Sequence, residues 1–436
     1  KGRDFHTRAC LKCHGDSAMM ARHRRTPIAA ESFFDGFHGK NVRLGFPEKV
    51  AGCADCHGSH GVRKADDPKS SVHPAGLVKT CRQCHPSAGV RFTRFLPHAE
   101  DHNRAKHPAL YWTRIAMTGL LAGTFLFFWI HSILWAIRSF VDRHRKANEA
   151  PHAEAAAGTA KRRTYRRFET KHIVMHVVVV VSFLTLSLTG LPLKFSGTGW
   201  GRALLGFIGG ADRARFLHHA AALVTFGYFA VALAMSAKFL FAPKDGLRGA
   251  IRRLLGPDSL FPNLRDWRDL KAMFRWFFFK GPKPSFDRWT YWEKFDFMAV
   301  FWGMLAIGLS GLMLWFPSFF ARFLPGWVFN LATIIHSDEA LLATGFIFTV
   351  HFFNTHFRPE KFPMDTVIFN GRISHEEMVE ERADLLKRYE AEGVTEAHLV
   401  DTPTSLGWEF ASRVFGLVAV ATGLALAAFM VYALLK

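Results

Sequence analysis

Six apolar stretches dominate this chain, and each is long enough to cross a lipid bilayer as a helix. They cover residues 115–137, 173–193, 216–241, 297–316, 327–357 and about 410–435. Inside lipid, a backbone must satisfy its own hydrogen bonds, which leaves helices and closed barrels as the only spanning structures. The sequence therefore predicts a mainly α-helical protein built on a six-span transmembrane bundle.

The basic residues of the chain lie mainly between the apolar stretches. The formal net charge is +20, but the Lys and Arg residues lie in loops between apolar stretches, which is not the pattern of a nucleic-acid interface. Residues 138–171 and 238–288 carry ten and twelve of them, whereas residues 194–215 and 317–327 carry four and one. The positive-inside rule places the basic loops in the cytoplasm and residues 1–108 in the periplasm of a bacterial inner membrane.

All six cysteines fall into three Cys-x-x-Cys-His motifs. These are Cys10-Leu-Lys-Cys13-His14, Cys53-Ala-Asp-Cys56-His57 and Cys81-Arg-Gln-Cys84-His85. The pattern is the attachment signature of c-type haem, in which both thiols bond to the porphyrin and the histidine is an axial ligand of the iron. A single copy is compatible with a redox or zinc motif, but three copies with no spare cysteine favour three covalent haems. We expect residues 1–108 to form a small, loop-rich tri-haem domain.

An electron-transfer haem needs no open iron position, so we expect a second histidine on each of the three irons. We select His38, His73 and His98, because each stands in a short segment beside a haem motif. The alternative for each is a solvated surface histidine, or a ligand of a haem upstream of Lys1. The other histidines that remain available are His6, His23, His60, His102 and His107.

Four further histidines lie in register within the apolar stretches. His336 and His351 are fifteen residues apart, which puts them within about 60° on one helix face and about 22 Å apart along its axis. His218 opens the third stretch level with His336, and His176 opens the second level with His351. Polar groups at this depth are costly and usually functional, although helix packing also uses histidine. The levels predict two bis-histidine b-type haems, His218/His336 and His176/His351.

Small residues at Gly190, Gly345 and 220–222 would let a porphyrin approach, although small residues also serve helix packing. His219, next to His218, stays open as an alternative ligand. We expect His131 and His172 at the membrane interface, and His356 either there or beside a haem propionate. Asp338 and Glu339 have two interpretations, helix capping and a proton relay.

The remaining segments complete the domain organisation. Residues 264–281 alternate aromatic and basic side chains at helical spacing, which predicts an amphipathic helix on the inner membrane face. Residues 374–396 are rich in charge and predict a solvated surface helix. No leader peptide precedes the first motif, and we expect that one has been removed or left out. The expected boundaries are 1–108 for the haem c domain, 109–140 for a first anchor, 141–170 for a linker with low complexity at 148–160, 171–360 for the di-haem core, 361–408 for an acidic cytoplasmic segment and 409–436 for the last span.

The core histidine segments resemble a known family. The segments HVVVVVSFLTLSLTG (His176 to Gly190), RFLHHAAAL and IIHSDEALLATGFIFTVHFFNTHF are similar to the ligand helices of the di-haem cytochrome b subunits of formate dehydrogenases and Ni–Fe hydrogenases. The fused N-terminal motifs narrow the resemblance to CbcL-like inner-membrane cytochromes of metal-reducing bacteria. It covers residues 165–360 for the b-type part, and it implies a four-helix core that holds two b haems.

The resemblance also implies a menaquinone site beside the cytoplasmic-side haem, near the start of the fourth span. The matching residues here are Thr290, Trp292, Glu293 and Lys294. The family has Asn at the position of Thr290, so the quinone hydrogen bond made there does not transfer directly. Proton exchange by Glu293 or Lys294 is one interpretation, and charge at the membrane edge is the other.

Three functions remain open at this point. The first is quinol oxidation, a quinol:cytochrome c oxidoreductase activity that passes electrons from menaquinol through two b and three c haems to a periplasmic acceptor. The second reverses the flow, with the chain as membrane subunit of a periplasmic oxidoreductase that feeds quinone. The third is a haem-based sensor or a transporter, although we find no output segment and no inverted repeat in the sequence.

Overall fold

The computed structural model describes residues 2–149, 163–243, 245–400 and 404–435. The chain is mainly helical, and six of its described helices are long and apolar enough to cross a membrane, which is the number of spans that the sequence predicts. Their bounds are Pro108–Arg145, Thr170–Lys194, Ala211–Phe241, Tyr291–Trp315, Trp327–Phe357 and Leu406–Leu434.

Residues 2–107 form an N-terminal domain, and it is more helical than the sequence suggested. Its helices are α1 (Gly2–His14), α2 (Ser17–Arg22), α3 (Ile28–Asp35), α4 (Phe37–Arg43), α5 (Cys53–His57) and α6 (Pro74–Arg82), with 3₁₀ turns at Pro47–Lys49 and Phe92–Arg94. Few apolar side chains of this domain are buried, among them Ala30, Leu44, Val50 and Ala88. The helices surround a cavity rather than an apolar core.

The helices that follow, in chain order, are α7 (Pro108–Glu149), α8 (Thr170–Lys194), α9 (Gly199–Ile208), α10 (Ala211–Phe241), α11 (Gly246–Leu254), α12 (Leu264–Phe277), α13 (Tyr291–Gly303), α14 (Leu309–Trp315), α15 (Pro317–Phe320), α16 (Trp327–Phe346), α17 (Val367–Asn370), α18 (His375–Glu381), α19 (Ala383–Ala391), α20 (Thr395–His398) and α21 (Leu406–Leu434). A π turn at Met304–Gly308 joins α13 to α14. Two more, Ile347–His351 and Phe353–Phe357, extend α16.

The fifth span, α16 with its π turns, lies at the centre of the bundle. Of its apolar window 44% is buried, against 6% for α10 and for the α13–α14 span. It packs against α7, α8, α14 and α21. Exposed apolar side chains such as Leu223, Leu305 and Phe410 cover the outside of the bundle, where lipid would contact them.

A cap of short elements covers one end of the bundle. Strand β1 (Thr164–Arg166) pairs antiparallel with β2 (Arg372–Ser374), and Tyr165 lies opposite Ile373. Met378, Leu385 and Tyr389 bury their side chains against these strands. The predicted solvated helix at 374–396 is therefore wrong, since it is two helices, α18 and α19, with a buried apolar face. Of the predicted linker, residues 150–162 lie outside the described residues.

The amphipathic helix predicted over 264–281 is present as α12, but only part of its apolar face is exposed. Trp267 is exposed, whereas Met273, Trp276 and Phe277 are buried against Trp135 and its neighbours. This helix therefore covers the cap end of α7 and α13 and does not lie free on the bundle surface.

The N-terminal domain docks on the opposite end of the bundle. The Asn330 side chain donates to the Leu96 carbonyl at 2.9 Å and accepts from the Leu96 amide at 3.1 Å. The Gly326 amide donates to the Arg91 carbonyl at 2.8 Å. These contacts join the domain directly to the first turn of α16.

Candidate functional site

One cavity of about 2400 Å³ runs from the N-terminal domain into the centre of the bundle. A site for one drug-sized ligand measures about 300–1000 Å³, so this cavity has room for several large groups. Its wall includes the histidines of all three Cys-x-x-Cys-His motifs and all four histidines that the sequence placed in register within the spans: His14, His57, His85, His176, His218, His336 and His351, with His38, His98 and His356 beside them.

His218 of α10 and His336 of α16 face each other across this cavity. Their ring centroids are 6.3 Å apart. Two imidazoles on opposite sides of one iron place their centroids about 6 Å apart, since each metal–nitrogen bond is about 2 Å. His336 Nδ1 lies 3.0 Å from the Ile307 carbonyl oxygen, which only accepts, so Nδ1 carries the proton and Nε2 is free to bind a metal. His219, the alternative to His218, instead stacks on Trp315 with centroids 3.9 Å apart.

Two glycines give these rings their space. A Cβ at Gly190 would lie 3.3 Å from His218 Cε1, and a Cβ at Gly311 would lie 3.0 Å from His336 Cε1. Gly190 was singled out from the sequence, and Gly311 was not. Gly345, also singled out, lies against the Phe125 ring and serves the packing of α16 on α7.

His176 and His351 line the cavity at its cap end. His351 Nδ1 lies 2.9 Å from Asp296 Oδ2, so it donates to the carboxylate and leaves Nε2 free. His176 lies within electrostatic reach of both His351 and His356. The Nδ1 of His356 accepts the Asp365 amide at 3.3 Å, so its Nε2 carries the proton and is not a ligand atom in that tautomer. The geometry favours His351 over His356.

Two of the predicted distal histidines lie beside motif histidines. The rings of His38 and His85 are 6.5 Å apart, and those of His57 and His98 are 6.3 Å apart. Burial lowers the pKa of all four imidazoles, which favours the neutral form that binds metals. His73 does not approach a motif histidine in this way, because its Nδ1 caps α6 by accepting the Ala75 amide at 3.2 Å.

The donor set suits a porphyrin better than a bare metal ion. Among the described residues, no three His, Cys, Asp or Glu side chains form a group that could hold a metal ion. A haem iron needs only two protein ligands, because the porphyrin supplies four nitrogens. No disulfide joins any of the six cysteines, all of which lie among the described residues, so all six sulfur atoms are available for bonds to porphyrins. Burial, with Cys81 and Asp55 nearby, raises the pKa of the Cys56 thiol to about 11.

The four residues expected at the quinone site have other contacts. Thr290 caps α13 by accepting the Glu293 amide at 3.3 Å, and Trp292 is buried against Trp135. A Glu293 carboxylate oxygen lies 2.8 Å from Arg382 and 3.3 Å from Arg167. Lys294 pairs with Asp266 at 3.0 Å. The cavity wall begins just beyond them, at Phe295 and Asp296.

Of the three histidines expected near the membrane interface, two are buried within the protein. His131 is 1% exposed and hydrogen-bonds the Tyr291 hydroxyl, while His356 is 8% exposed. His172 is half-buried near the start of α8.

Two carboxylates on the cavity wall, Asp296 and Glu339, have no single role that the sequence predicts. The sequence assigns no role to Asp296, and it offers both helix capping and a proton relay for Glu339. Glu339 is 3% exposed and one of its oxygens has no partner. An acidic residue inside or at the edge of an apolar stretch is the signal that points to both.

No family model, no curated protein and no solved structure matches this chain. Its site is therefore defined by its own geometry.

Proposed function

We propose that this protein transfers electrons across a membrane between the quinone pool and a periplasmic redox partner, through two b-type and three c-type haems. The observation that carries the proposal is the repeated histidine pair. His218/His336, His57/His98 and His38/His85 have ring centroids 6.3, 6.3 and 6.5 Å apart, and all six residues line one cavity.

Each set of residues has a stated part in this proposal. His218 with His336, and His176 with His351, would hold the two b haems. The three cysteine pairs would hold the c haems, with His85 and His38 binding one iron, His57 and His98 another, and His14 the iron of the first motif. His73 stays a prediction as its partner. When bound, these groups supply one-electron transfer along the cavity.

The protein itself supplies position, tautomer and insulation. The Ile307 carbonyl and the Asp296 carboxylate fix which nitrogen of His336 and His351 faces the cavity. The apolar wall excludes water from the central part of the route. In the direction we propose, menaquinol is oxidised near His351 on the cytoplasmic side and electrons leave at the N-terminal domain.

Substitution of the cap-end ligand tests this route. His351→Ala is expected to abolish quinol-driven reduction of the c haems, because the inner b haem loses a ligand, while three covalent haems remain. His172→Ala, one turn from His176 on α8, is the matched control and is expected to behave as wild type. Quinol-driven reduction that persists in His351→Ala would overturn the route.

A further inference from the structure

A strip of unpaired buried polar atoms separates α7 from the end of the α16 span. Thirteen buried side-chain nitrogen or oxygen atoms among the described residues have no hydrogen-bond partner, and six of them belong to this strip. Its five residues are 0–8% exposed: His131, Ser132, Trp135, Asn354 and Arg358. Such a concentration is unusual, since buried polar groups are nearly always paired.

Two hydrogen bonds fix the register of these helices. Trp129 Nε1 donates to Thr349 Oγ1 at 3.0 Å, and Ser139 Oγ donates to Glu360 Oε1 at 3.2 Å. The sequence separations are 220 and 221, so the two spans run parallel, and residues 131–135 lie level with residues 351–356.

Trp135 meets the end of the α16 span at Phe353, whose ring centroid lies 6.2 Å from its own, and Asn354 is the next residue. Ser132, Trp135 and Ser139 have the i, i+3, i+7 spacing of one helix face, and Ser139 contacts the end of the α16 span. The Arg358 guanidinium lies 4.8 Å from the Trp135 ring centroid. His131, the innermost residue of the strip, hydrogen-bonds the Tyr291 hydroxyl of α13.

The strip connects the cap surface with the level of the inner histidine pair. At its cap end, Glu360 pairs with Lys283 at 3.0 Å, and both side chains are partly exposed. At its other end, His131 is level with His351. From residue 131 to residue 139 the helix rises about 12 Å.

We propose that this strip binds a chain of ordered waters, and that the chain carries protons between the cytoplasm and the level of His351. Unpaired polar atoms inside a membrane protein need partners, and water is the partner that fits an interface with donors and acceptors on both sides.

The proton role rests on the proposed function. Oxidation of one quinol to quinone breaks two O–H bonds, sends two electrons to the porphyrin irons and releases two protons, which the strip takes to the cytoplasm.

The first test is a density map of the full protein in nanodiscs at a resolution that shows water. Ordered waters are expected between Trp135 and Asn354. A dry strip would overturn the proposal, whatever the protein does with quinol.

The second test uses Asn354→Leu, which keeps the side-chain size and removes both polar ends. It is expected to slow quinol-driven haem reduction at least about tenfold, as removal of a proton-transfer group does. Reduction by dithionite, which needs no proton route, is expected to be unchanged. Ser412→Ala, a buried polar position on α21 outside the strip, is the control. If Asn354→Leu loses haem, Ser132→Ala replaces it.

The outcomes separate the two proposals. If quinol reduces the haems at the wild-type rate in an Asn354→Leu protein that holds all its haems, the proton route is overturned and the electron route stands. A wet strip in a wild-type protein that quinol does not reduce would confirm the water chain, and would end both its proton role and the electron route.

Discussion

On the cavity wall, the tautomer of a histidine is set by the group that hydrogen-bonds its Nδ1. One backbone carbonyl decides the tautomer of His336, and one carboxylate decides that of His351. Glycine leaves room for a ring where any Cβ would press on it, as at Gly311. At this scale the smallest substitutions have the clearest consequences.

Gly311→Val is expected to remove one b haem. The new side chain would displace the His336 ring, because even a Cβ lies 3.0 Å from its Cε1. The haem b content measured by the pyridine haemochrome assay is expected to fall by half, while haem c is unchanged. Gly227→Val, on α10 with open space around it, is the control. Full haem b content in Gly311→Val would contradict the placement of the outer pair.

His38→Ala and His73→Ala distinguish a ligand from a helix cap. Loss of His38 is expected to open one iron, so the protein would bind carbon monoxide at one c haem. His73→Ala is expected to leave that iron closed and to destabilise α6 by about 1 kcal/mol through loss of its cap. Carbon monoxide difference spectra measure this, and the reverse pattern would exchange the roles of the two residues.

Sequence periodicity is enough to predict that His218, His336, His176 and His351 share one site, and all four line the cavity. The prediction is possible because each lies on an apolar helix, where the residue spacing determines which side chains share a face. Periodicity does not predict the parts of Gly311 and Asp296 in this site. Their roles depend on how α13 and α14 lie against α16, and the side-chain pattern of one helix carries no information about its neighbour.

At the scale of elements, the cap shows where charge patterning misleads. The charged residues of 374–396 predicted solvent exposure, yet Glu381 and Arg382 are buried. Glu381 pairs with Arg358 at 3.0 Å, and Arg382 pairs with Glu293 at 2.8 Å. Their partners come from distant parts of the chain, so no local pattern predicts them.

Glu293→Gln is expected to destabilise the cap rather than to stop proton exchange. It would leave Arg167 and Arg382 buried without their carboxylate, a change that costs about 3–5 kcal/mol. A thermal scan in nanodiscs is expected to show a lower unfolding midpoint for Glu293→Gln. Glu376→Gln, at an exposed position on α18, is expected to leave the midpoint unchanged. Unchanged stability with slowed quinol oxidation would instead support the proton role.

The cap is also expected to loosen in acid. Burial alone would raise the pKa of Glu381, but the charges of Arg358 and Lys361 outweigh it and lower that pKa to about 2. A carboxylate with a lowered pKa stabilises the fold above its ordinary value of 4.5 and loses this contribution as the pH falls towards 2. Proteolysis within 372–391 is expected to accelerate over that range. Glu381→Gln is expected to show a weaker dependence on pH, and an equal dependence in both proteins would refute the assignment.

At the scale of the whole molecule, docking of the N-terminal domain on α16 makes the cavity continuous. The sequence predicted two haem-binding parts but not their contact, because hydrogen bonds such as Asn330 to Leu96 join residues 234 positions apart. Separate domains on a flexible connection would have satisfied the same sequence patterns.

Gly326→Val tests this docking. A Cβ at Gly326 would collide with the backbone of Phe92 and Phe95. We expect the full haem content, faster proteolytic release of the N-terminal domain, and slower reduction of the c haems by quinol with the b haems still reduced. Gly206→Val, at an open position on α9, is the control. Unaltered c-haem reduction and protease resistance would show that the contact does not matter.

The most direct measurement of the central claim is an optical spectrum of the purified protein, recorded while menaquinol is added and calibrated for each haem type. We predict two b-type and three c-type haems per chain, all reduced by quinol. A chain without haem b, or haems that quinol leaves oxidised, would contradict the account.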